Sequence, residues 1–141
     1  MDYNSLIEQY LSRPYWIVDV LPKQVSANSK GQYFNVERYF LASPQVEDLC
    51  MRFARLLLKI NCYEDISVGF PSGEWTTNPE PATLVEWVGQ RKPLFVVMET
   101  SDAMIAISGD DAYLTLYNPS DQFLVFVRQL AASEGLFVWQ P

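Results

Sequence analysis

Three features of this sequence predict an α+β fold, one antiparallel sheet packed by helices. Three strand-like segments between residues 93 and 117 are separated only by the polar turns 100–102 and 109–111. Turns that short allow only antiparallel pairing, so the segment is expected to be a three-strand meander. Amphipathic segments with helical periodicity lie on both sides of it in sequence. Three of these begin with Ser-Pro or Asn-Pro, local signals that agree with the periodicity. The 141 residues fit a single domain over 1–141, long enough to bury roughly two-thirds of the unfolded surface.

Taken in order, residues 2–12 predict the first helix, with Leu6, Ile7 and Tyr10 on one face, Asp2 as cap and Pro14 just past the end. Residues 15–21 predict a central strand. Trp16, Val18 and Val20 point one way and Ile17, Asp19 and Leu21 the other. A polar loop follows over 22–32, then a short helix over 33–41. The strongest helix spans 44–61, with Ser43 as N-cap, Pro44 at the first position and a stripe of Val46, Leu49, Phe53, Leu57 and Ile60. Residues 65–70 alternate and predict a strand with one wet side. Residues 71–77 predict a loop or hairpin carrying Trp75, and Asn78-Pro79 opens a further helix that ends near Gly89. After the meander, Asn118-Pro119-Ser120 opens the last helix, Gly135 ends it, and residues 136–139 return as a strand.

Composition excludes several functions. There is no histidine, so Ser-His-Asp and Cys-His chemistry and histidine metal sites are impossible. Neither a P-loop nor a Gly-x-Gly-x-x-Gly motif occurs. Cys50 and Cys62 would lie about 18 Å apart along one helix, beyond disulfide reach. No apolar run approaches the ~20 residues of a membrane span, and no signal peptide is expected. A cytoplasmic protein without cofactor, metal or catalytic residues is the expectation. The net charge of −7 argues against nucleic acid and anionic membranes, since phosphate binding needs Lys and Arg. Most of that charge sits in residues 71–141, which carry three basic and nine acidic residues.

The first functional expectation is therefore a non-enzymatic acidic module that binds a basic protein, for instance as an inhibitor or immunity-type protein. Its candidate contacts are Trp75 and Glu74 in the Pro-rich stretch, Asp102, Asp110 and Asp111 in the meander's turns, and the row of Tyr113 and Tyr117. The second is a small-molecule receptor or enzyme whose pocket lies between sheet and helices and uses Asp19 and tyrosine hydroxyls. Asp19 is singled out because a carboxylate in a central strand needs a partner or a raised pKa. The third is a homo-oligomer joined through a strand or aromatic patch.

Overall fold

The computed structural model describes residues 2–71 and 73–141. The elements run α1 (Tyr3–Leu11), β1 (Tyr15–Asp19), α2 (Tyr33–Phe40), α3 (Gln45–Asn61), β2 (Ser67–Gly69), β3 (Trp75–Thr77), α4 (Pro81–Gly89), β4 (Leu94–Met98), β5 (Ala103–Ile107), β6 (Leu114–Tyr117), α5 (Asp121–Ala132) and β7 (Phe137–Trp139). The strands form one sheet in the order β3-β2-β4-β5-β6-β1-β7. Every neighbouring pair is antiparallel. The architecture is α+β. No helix among the described residues is long and apolar enough to cross a membrane.

Strand alternation divides the sheet into two faces. Val18, Val68, Leu94, Val96, Met98, Ile105, Leu114, Leu116 and Val138 point to one face and are buried there against α3, α4 and α5. The apolar stripe of α3 faces this layer, and Leu57 is fully buried in it. The opposite face carries Val97 and Met104, which pack against Ile7 and Tyr10 of α1. α1 thus forms a partial third layer, over β2, β4 and β5.

Four expectations require correction. Residues 108–113 make a wider connection than a three-residue turn, because the Ser108 hydroxyl gathers the Asp110 and Asp111 amides and binds Asp111 Oδ2 at 2.8 Å; β6 therefore begins only at Leu114. β2 is buried on both sides, since α1 reaches over it and the Tyr3 hydroxyl donates to Ser67 Oγ at 3.3 Å. α3 is not capped by Ser43: Pro44 holds the cap position, and the Ser43 hydroxyl donates to Glu47 Oε1 at 2.7 Å instead. α4 begins at Pro81 rather than at Asn78-Pro79, because Asn78 adopts a left-handed conformation and uses its side-chain oxygen to accept the Ile66 amide.

Candidate functional site

The sequence candidates do not gather in one place. Trp75 sits in edge strand β3, half-buried, with its ring stacked on Tyr3 at 4.2 Å and flat against Gly69. A Cβ at position 69 would lie 2.4 Å from the Trp75 ring, so glycine there is what lets the indole lie on the sheet. Trp75 is thus occupied by the fold, and its neighbour Glu74 is exposed. Asp102 lies in the β4–β5 turn, where it accepts the Tyr10 hydroxyl at 3.0 Å. Asp110 and Asp111 lie in the β5–β6 connection, at the other end of the meander.

Tyr113 and Tyr117 have a different setting. α1 covers only half of the sheet's outer face, and the half built by β6, β1 and β7 is open. Register brings its side chains together. Tyr15 lies opposite Tyr117 and Ile17 opposite Thr115, while on the other flank Ile17 pairs with Trp139 and Asp19 with Phe137. Leu11 at the end of α1, Leu21, Lys23, Gln24 and Val25 of the loop after β1, and Tyr33 of α2 wall this floor. They enclose a cavity of about 570 Å³. Asp19, Leu21, Val25 and Tyr33 also border a second, apolar chamber of about 240 Å³ that runs under α2.

Asp19 lines both chambers. It is only 6% exposed and takes part in no ion pair among the described residues. Its Oδ1 accepts the Val20 amide at 2.7 Å. Burial pushes its carboxyl above the usual carboxylate range, against the opposing pull of the Val20 and Leu21 amides and the Trp139 indole; the Glu37 charge adds to the rise. The Trp139 indole N–H is buried and, though beside this carboxylate, falls short of hydrogen-bond geometry with any acceptor.

The surrounding groups keep the site negative. The Tyr33 hydroxyl donates to Glu37 Oε2 at 3.2 Å. Burial and that carboxylate push its pKa up to about 12. Burial, then Asp111 and Glu37, raise the pKa of Tyr113, and burial raises that of Tyr117. At neutral pH these tyrosines are uncharged hydroxyls, so carboxylates supply the local charge. Among the residues lining the larger chamber, Lys23 is the one base; it is exposed and forms no ion pair.

Chemically, a buried carboxylate walled by aromatic rings suits a cation, which gains both charge pairing and the negative faces of the rings. No cluster of three or more His, Cys, Asp or Glu side chains gathers among the described residues. Of the site residues, Asp19, Tyr113 and Tyr117 were recognisable in the sequence. Tyr15, Tyr33, Glu37 and Trp139 were missed. The alternation of Phe137, Val138 and Trp139 and the i, i+4 spacing of Tyr33 and Glu37 were the available signals. Comparisons with protein-family models, with curated proteins and with solved structures returned no match.

Proposed function

We propose that this protein is a non-enzymatic binding domain whose ligand carries a positive charge into the chamber over β6, β1 and β7. The observation that carries this reading is Asp19, a buried carboxylate that forms no ion pair among the described residues and lines a cavity to which four tyrosines and Trp139 contribute. The cavity volume lies within the roughly 300–1,000 Å³ of small-molecule sites. Two free thiols, Cys50 and Cys62, make a reducing compartment such as the cytoplasm part of the proposal.

The test is a titration followed by amide and indole NMR signals, using butylammonium and butyrate as probes of equal size and opposite charge. Butylammonium is expected to shift Asp19, Tyr113 and the Trp139 indole N–H, and Asp19→Asn to abolish the effect while leaving the fold intact. Equal responses to the two probes, or an unchanged response in Asp19→Asn, would contradict the reading.

A second reading keeps the pocket but takes the cation from a basic protein. It is favoured by the net charge of −7 and by the exposed rim residues Tyr15 and Phe137. Asp111, Tyr113 and Tyr117 would then be contacts, whereas Trp75 and Asp102 would not. Such a complex should associate more slowly as salt rises.

A further inference from the structure

The second chamber says more about the ligand than its charge. It shares Asp19, Leu21, Val25 and Tyr33 with the larger cavity, and Val20, Val36, Phe40 and Ala112 add apolar wall to it, with Ser29, Gly31 and Gln32 on the loop side. Asp19 and Glu37 are its carboxylates, with the Tyr33 hydroxyl donating to Glu37, and most of the remaining wall is apolar. A site with an anionic junction and an adjoining greasy channel matches a molecule with the reverse pattern, a cationic head joined directly to a hydrocarbon tail. The channel's 240 Å³ is room for about eight groups of water or methylene size, at roughly 30 Å³ each.

We infer that the ligand is an amphiphilic organic cation, its ammonium or guanidinium head held between Asp19 and the aromatic walls and its aliphatic tail laid in the channel under α2. This rests on the proposed function, since it assigns the tail of a ligand whose head that proposal assigns. The head would stand beside the Asp19 carboxylate and the rings of Tyr113, Tyr33 and Trp139. The tail would leave water for a surface made by Val36, Phe40 and Ala112. α2 has no fully buried residue of its own, so Val36 and Phe40 still have surface for a tail to cover.

The experiment is calorimetric titration of the intact protein with n-alkylammonium ions from ethyl to dodecyl, below their micelle-forming concentrations, alongside the matching carboxylates. Affinity is expected to rise about threefold to fourfold per methylene until the channel fills near eight carbons, then level off. Ala112→Leu, which narrows the channel, should flatten this dependence, with a loss of affinity that grows with chain length. Asp19→Asn should weaken every alkylammonium at least tenfold. Thermal melts establish that both variants fold, and Val36→Phe serves as a second channel-filling variant if Ala112→Leu does not.

The outcomes separate the two proposals. If Asp19→Asn weakens binding but affinity ignores chain length, the tail assignment is wrong and the charged pocket stands. If carboxylates bind as well as ammonium ions, the pocket reading itself fails. If no alkylammonium binds but a peptide of alternating lysine and leucine does, and loses affinity in Asp19→Asn, the cation belongs to a protein and the small amphiphile is overturned.

Discussion

Two carboxylates in this molecule are buried to nearly the same degree and are treated in opposite ways. Glu134, just past α5, is 8% exposed and Asp19, ending β1, is 6% exposed. Glu134 receives Arg55 Nε at 2.7 Å and Lys59 Nζ at 2.6 Å from α3. Burial alone would raise its pKa, but the hydrogen bonds and charges of Lys59 and Arg55 outweigh it and hold the carboxyl below its ordinary range. Asp19 has no such cation, and its carboxyl lies above its ordinary range. Glu134 is what a structural carboxylate looks like in this fold: it fastens the end of α5 to α3. The fold supplies two cations to one buried acid and none to the other. That difference is why Asp19, rather than any of the acidic turns, marks the site.

The comparison can be sharpened against an ordinary core position. Leu57→Ala should be the most damaging of three substitutions, destabilising by about 2–5 kcal/mol in chemical denaturation, because Leu57 is fully buried beneath the sheet. A loss below ~0.5 kcal/mol would show that the α3 stripe is not the core and would remove the frame of the comparison. Glu134→Gln should be next. It leaves Arg55 and Lys59 without their acceptor, but these bases are about two-fifths exposed and can rehydrate, so the loss should be about 1–2 kcal/mol rather than that of a fully enclosed pair.

Asp19→Asn should be the smallest and of opposite sign, stabilising by about 0.5–1 kcal/mol at pH 7. An amide keeps the shape and the Val20 hydrogen bond and removes the uncompensated charge. The pH dependences should also oppose each other. The folded-state pKa of Glu134 is depressed, so its contribution is complete above its ordinary pKa of 4.5 and is lost as pH falls through the lower folded value. The folded-state pKa of Asp19 is raised, so its penalty is present above that raised value. It disappears as pH falls through it toward the ordinary 3.8. Stability curves of the two variants against the wild type, measured from pH 3 to 8, should therefore both converge on the wild type in acid, one from below and one from above. Convergence from the same side would break the contrast.

Much of the fold could be read from local signals. The α3 stripe, the alternation of 15–21 and the polar turns of the meander each act within a few residues; each marks its element, with β1 ending at Asp19 and β6 starting later than expected. For residues 71–77 loop and hairpin stayed open, because three residues on a sheet edge leave little pattern; the structure shows the hairpin. The dry second side of β2 was missed because α1, more than fifty residues earlier, covers it. The site was legible only in pieces. Asp19 and the Tyr113–Tyr117 row each stood out, but what joins them is the pairing of β1 with β6, nearly a hundred residues apart in sequence. Strand order is a tertiary property that spacing along the chain does not encode. Trp75 shows both ranges at once: Gly69, six residues away in its own hairpin, and Tyr3, more than seventy residues away, together hold its ring on the sheet.

The central claim is that the missing counter-charge of Asp19 comes from a ligand, and the Asp19 carboxyl itself reports on that most directly. Its pKa can be followed by carbon-13 NMR of the side-chain carboxyl, in the free protein and with saturating octylammonium. The account predicts a midpoint above the ordinary 3.8 in the free protein and a clear fall when the cation is bound, with Glu134 unmoved. A free-protein midpoint at or below 3.8, or one that the bound cation leaves unchanged, would contradict it.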